Sequence, residues 1–232
     1  VTAIIRLRLA AYLRAYLAIA PTLAGLIVLA ILYGGGVARP EEAYGVSALV
    51  LFPVLAWQVK ILLDAEPDVQ RRLIRVAAGS PGREIGAGLL AAATTAVPTL
   101  ALGLVLPWLF GGVGSVRSGE TAPLPLFAAL AVGVWVHLIA VPPAVAVGAW
   151  ASRPVSRTAG VSVSVLAGGT ILAIVLGLSF SPIPWLMPPL MAAARATSSG
   201  LSPTSILRLT AWSLLWTAIV GAGYWRLRLR RV

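Results

Sequence analysis

Apolar residues run along this chain in long blocks, separated by short charged clusters. No Lys, Arg, Asp or Glu interrupts residues 15–38, 43–59, 85–116, 121–152 or 158–194, and a shorter block covers 209–225. About 20 apolar residues carry a helix across the hydrocarbon of a bilayer, so each block holds one span. The fifth block has room for an extra interfacial or re-entrant piece. The pattern predicts six helices, near 16–37, 43–63, 85–109, 124–149, 159–180 and 205–225. The first is not expected to be a removable signal sequence, because it follows a 14-residue basic leader and lacks a small-x-small cleavage context.

A different rhythm appears between the second and third blocks, where the segment Asp68–Ala78 reads as a short amphipathic helix. Val69, Leu73 and Val76 recur at helical spacing, while Arg71 and Arg75 fall on the opposite side with Gln70 on the flank. Asp68 or the turn before it caps the start, and Gly79 suits the left-handed closing position. Ser80 then serves as N-cap of the next helix, Pro81 occupies its first position, and Glu84 meets its positive end. The expectation is that Leu73 and Val76 seat this helix while Arg71 and Arg75 contact a partner and Arg72 points away. The alternative is an interfacial loop helix whose arginines meet lipid phosphates.

Composition agrees with a bilayer as solvent. Of 232 residues, 59% are hydrophobic and 11% charged, against about a quarter charged in soluble domains. The fold class expected is an all-α polytopic membrane protein, one transmembrane domain over residues 1–232, with six transmembrane helices, a loop helix of the coupling type and an N-terminal interfacial helix. The absence of cysteine excludes disulfides and thiolate metal sites. With a single histidine and no acid inside any span, no metal site is expected. Intramembrane catalysis lacks a convergent constellation, and ion-driven transport lacks its usual buried acid.

The net charge of +11 does not point to nucleic acid, because the basic residues crowd the ends of the spans. With the N-terminus inside, fourteen of eighteen basic residues face the cytoplasm: Arg6, Arg8, Arg14, Lys60, Arg71, Arg72, Arg75, Arg83, Arg153, Arg157, Arg226, Arg228, Arg230 and Arg231. Arg39, Arg117, Arg195 and Arg208 remain outside. This bias predicts a multi-pass protein of the inner (plasma) membrane with both termini cytoplasmic.

His137, in the fourth span, has two readings: a proton-relay or substrate-contacting group, or a neutral imidazole hydrogen-bonded to a neighbouring helix. Pro21, Pro53, Pro98, Pro107, Pro142 and Pro143 interrupt spans and favour packed or cavity-lining faces. Four prolines break residues 181–190, which are placed at the outer interface with Trp185 as anchor, followed by a short helix over 191–197. Trp57, Trp108, Trp150 and Trp225 fall near span ends. Gly86, Gly88, Ala91, Ala92 and Ala93 permit close helix contact.

The acid Asp68, then Gln70 and Leu73, then Gly79-Ser80-Pro81 before the third span, together with the basic leader and six spans, resemble the ABC-2 type permease family, the membrane subunits of ATP-driven exporters. The resemblance implies that Asp68–Ala78 is a coupling helix, with Asp68, Val69, Arg71, Arg72, Leu73, Arg75 and Val76 contacting a cytoplasmic ATPase subunit. It implies that residues 4–14 form an interfacial helix and that the short segments before the last span roof an export path. A second permease chain, identical or homologous, completes the membrane domain among lipids. Drugs, lipids or peptides of hydrophobic or amphipathic character are the substrates expected. ATP and Mg belong to the partner and no cofactor to this chain: there is no phosphate-loop motif, and Gly34-Gly35-Gly36 has no lysine behind it. A membrane enzyme, a biogenesis factor and a structural partner in a larger assembly are the competing readings.

Overall fold

The computed structural model describes residues 1–114 and 124–230. Arg117, Arg231 and the connection at 115–123 lie outside the described residues. The order is α1 (Thr2–Arg14), α2 (Ile19–Gly34), α3 (Pro40–Asp64), α4 (Asp68–Ala78), α5 (Pro81–Thr94), α6 (Ala96–Leu109), α7 (Leu126–Ala151), α8 (Ala159–Val175), α9 (Leu190–Ser199) and α10 (Pro203–Arg230), with a single 3₁₀ turn at Pro184–Leu186.

Four helical stretches have the length and hydropathy to cross a membrane: α3, α5 with α6, α7 and α10. A fifth arises if α1 and α2 form one broken span, and they meet at a bend of 71°. The described residues therefore form an all-α protein with four to five membrane-length helices, where six spans were expected. The shortfall lies in two places. The helix expected at 16–37 begins only at Ile19, after Tyr16 takes a left-handed backbone (φ 55°), and it ends at Gly34. Its 16 residues cover about 24 Å, less than the ~30 Å of a hydrocarbon core. The helix expected at 159–180 stops at Val175, ahead of Gly177 and the proline-rich turn. Its 17 residues cover about 26 Å.

Elsewhere the local chemistry explains the bounds. Ser80 Oγ accepts from the Arg83 N–H at 3.2 Å, and Gly79 closes α4 at φ +72°. The third span carries a one-residue break at Thr95. Pro98 has no N–H to offer the Thr94 carbonyl, and the Thr94 and Thr95 hydroxyls both turn back to donate to carbonyls one turn earlier, each at 2.7 Å.

The core forms around α3, which packs against α7, α9, α2, α6, α5, α8 and α1. Tyr44, Leu51, Phe52, Leu55 and Leu62 line its length and are fully enclosed. In α7, Gly133 lies on Tyr44, and Gly148 lies against the Ala56 carbonyl and Val59. These absent side chains let the two backbones approach closely, which is how helices gain contact in lipid. Two polar side chains within this core match each other. Gln58 Nε2 donates to Thr99 Oγ1 at 2.7 Å, and the Thr99 hydroxyl faces Gln58 Oε1 at 3.0 Å.

Candidate functional site

The groups with chemical potential gather at one end of the bundle, where four separate segments bring charges into a buried network. Arg8 of α1 forks onto Glu66 with Nε–Oε1 2.7 Å and Nη2–Oε2 2.9 Å. Its Nη2 also reaches Glu84 Oε1 at 2.6 Å, and Nη1 donates to the Glu84 carbonyl at 3.1 Å. The second oxygen of Glu84 takes Arg228 Nη2 at 2.7 Å. Arg8, Glu66, Glu84 and Arg228 are each no more than 6% exposed. Two cations and two anions balance there; the Arg8–Glu66 contact is bidentate, whereas Arg228 Nε is buried without a hydrogen-bond partner. Burial disfavours the charge on Arg8, but bonding to Glu66 and then Glu84 outweighs it and raises the pKa above the ordinary arginine value.

Gly88 makes room for this arrangement, since any side chain there would collide with the Arg8 guanidinium. Ala91 and Ala92, one turn further along α5, receive Tyr12 of α1. The small residues noted in the sequence thus admit the leader helix, which lies against the body of the protein.

Helix α4 sits beside the network. Arg71, expected to contact a partner, is buried against its own chain. It pairs with Asp68 at 2.9 Å and donates to the Glu66 carbonyl at 3.1 Å and to the Leu63 carbonyl at 3.4 Å. The physical reason is that the end of α3 leaves carbonyls without helical donors, and Arg71 supplies them. Burial first, then the neighbouring charge of Arg228, holds Arg71 below its ordinary pKa, while Asp68, Glu66 and Glu84 offset part of this. Ile74, which the sequence reading passed over, is the apolar residue that anchors α4 inward. Val69, Leu73 and Val76 face out, 70%, 65% and 81% exposed. Asp68 and Arg72 are exposed beside them and Arg75 is half-buried.

His137 is fully enclosed. Its Nδ1 lies 2.7 Å from the Gly133 carbonyl, which can only accept, so Nδ1 carries the proton. Nε2 lies 3.1 Å from Ser47 Oγ across the α3–α7 contact, and the same hydroxyl lies 3.1 Å from the Tyr44 carbonyl. The imidazole is thus bonded to a neighbouring helix. Among the described residues no group of three or more His, Asp or Glu is placed to hold a metal ion.

At the opposite end of the bundle, Arg195 donates to the Gly177 carbonyl at 3.2 Å from both Nη atoms, and Arg39 donates to the Ser198 carbonyl at 2.6 Å. Trp212 and Trp216 of α10 donate to the Met187 and Leu186 carbonyls, which ties the proline-rich segment to the last helix. That segment is therefore held by α10 through its backbone carbonyls.

Long apolar helices around an enclosed core, with charged groups confined to the ends, are the build of a polytopic helical membrane protein. Comparison with family models, with characterised proteins and with solved structures finds no significant match.

Proposed function

We propose that this chain is the membrane subunit of an ABC exporter of the ABC-2 permease type, with six membrane passages, both termini cytoplasmic, and ATP hydrolysed by a separate subunit. In this reading α2 and α8 are the two shorter passages and α1 is the interfacial helix. The observation that carries it is α4: an amphipathic helix between two membrane-length helices, with its apolar residues Val69, Leu73 and Val76 turned away from its own protein. An apolar stripe on a helix needs a surface to cover it, and a cleft in a cytoplasmic ATPase is that surface. Ser80 and Pro81 join α4 to α5 without slack, and the network through Glu84 ties the junction to α1 and α10. A push on α4 therefore reaches three helices at once. A second permease chain, identical or homologous, supplies the other half of the path for a hydrophobic or amphipathic substrate.

The test is Leu73→Asp. Leu73 touches little within its own chain, so insertion and stability stay within about 0.5 kcal/mol of the parent. Burying the new carboxylate in a dry contact costs several kcal/mol, so ATPase association falls below detection in pull-down and substrate-coupled ATP turnover disappears. Parental association and coupling at matched amounts of inserted protein would refute the assignment.

A further inference from the structure

Between α4, the connection from α7 to α8, and the end of α10 lies a cavity of about 480 Å³, within the ~300–1,000 Å³ range of small-molecule sites. Six arginines and one aspartate line it. Two of the six are already matched, Arg71 with Asp68 and Arg228 with Glu84. The other four, Arg72, Arg75, Arg153 and Arg157, make no ion pair among the described residues. Arg75 Nε is moreover buried without a hydrogen-bond partner. Like charges brought together in this way repel unless an anion enters, and the depressed pKa of Arg71, due to burial and then to Arg228, is one sign of that repulsion.

Arg153 and Arg157 also line a second cavity of similar size, which runs past Leu17, Ile61 and the Lys60–Asp64 ion pair to the start of α8. The same two guanidinium groups therefore stand between a strongly basic hollow and a partly apolar one. We infer that this groove binds an anionic phospholipid whose headgroup carries two phosphates, with the phosphates among the four free arginines and the acyl stems along Leu17 and Ile61. One phosphodiester brings a single negative charge and would leave three guanidinium groups unmatched. Two phosphates offer each oxygen pair a planar fork of donors, the geometry that arginine matches best. Leu17 and Ile61 in the second hollow distinguish this ligand from a soluble phosphate, which would have no use for them.

The test uses the full chain reconstituted in phosphatidylcholine vesicles, alone, with phosphatidylglycerol, or with cardiolipin at matched total charge. Retained lipid is read by native mass spectrometry after extraction, and inorganic pyrophosphate is the soluble probe. Cardiolipin is expected to be retained in preference to phosphatidylglycerol. Arg153→Gln with Arg157→Gln should weaken its retention about 30-fold, from two basic groups near a membrane surface. The side chains of both residues are exposed and make no hydrogen bond among the described residues, so the variant keeps its fold; Arg72→Gln is an independent second variant that should also weaken retention. Arg226→Gln with Arg230→Gln removes the same charge from the exposed face of α10 and should leave retention nearly unchanged. Equal weakening in that control, or no preference between the two lipids, overturns the site. Pyrophosphate binding as tight as cardiolipin overturns the lipid assignment. Loss of a protein partner in the Arg153/Arg157 variant with lipid retention intact overturns it in favour of an acidic protein surface.

Discussion

Removing Glu84 tests the buried network most directly, because its carboxylate is shared by two guanidinium groups, at 2.6 Å from Arg8 and 2.7 Å from Arg228. In Glu84→Ala, Arg8 keeps both bonds to Glu66, so the loss falls on Arg228. That cation is 6% exposed and has no other carboxylate partner among the described residues. Two unit charges about 4 Å apart at an effective dielectric near 20 interact by ~4 kcal/mol. Breaking one side of a buried pair typically costs ~3–5 kcal/mol. Both routes give a destabilisation of about 4 kcal/mol. Converting Arg228 to Met in the same chain removes the stranded charge and should recover most of that loss, since apolar replacement of a whole buried pair is often near neutral. Unfolding in mixed micelles by graded sodium dodecyl sulfate, followed by circular dichroism, measures both variants against the parent. A Glu84→Ala protein within ~1 kcal/mol of the parent, or an Arg228→Met change that adds to the damage, would refute the argument that these charges are desolvated and mutually dependent.

In the core, Gly103→Ala puts a methyl group 2.5 Å from His137 Nε2 and 2.9 Å from Leu51 Cδ1, and such overpacking costs about 1–3 kcal/mol in the same unfolding assay. Gln58→Leu strands the Thr99 hydroxyl and should cost ~1–3 kcal/mol, while Gln58→Leu with Thr99→Val costs less than the two singles combined. Topology reporters fused after Arg230 and within residues 115–121 should report opposite sides of the membrane, and the same side for both would exclude an even number of passages with inside termini.

Where a signal is local, the sequence carried it to the residue. Asp68–Ala78 forms the helix that its spacing indicates, Gly79 takes the left-handed position, and Ser80 and Pro81 open α5. Four of the six apolar blocks, 43–59, 85–116, 121–152 and 209–225, lie in membrane-length helices, while the first and the fifth carry the shorter α2 and α8. The orientation of α4 was not legible, because amphipathicity separates two faces without saying which one meets the chain's own body. That choice was made by the exposed carbonyls of Leu63 and Glu66, which draw Arg71 inward. The network was illegible for a related reason. Its bonds join residues 58, 76 and 144 positions apart, and Arg8 and Arg228 read as topology-setting flanks. One trace was present: four of the seven acids, Asp64, Glu66, Asp68 and Glu84, fall within a single stretch of 21 residues. A chain that needed only positive charge on that side would have no reason to place them there.

The pairing of Arg8 with Glu66 and Glu84, and of Glu84 with Arg228, also sets an order of events during synthesis. Ribosomes release the chain from its first residue onward, so Arg8 is made long before either of its acids. The α1 leader has nothing to neutralise it until the loop containing Glu66 and the start of α5 have emerged. Glu84 in turn stays half-matched until Arg228, 144 positions later, arrives at the end of α10. The two oxygens of Glu84 are therefore both matched only when helices made at widely separated times, α1, α5 and α10, have come together.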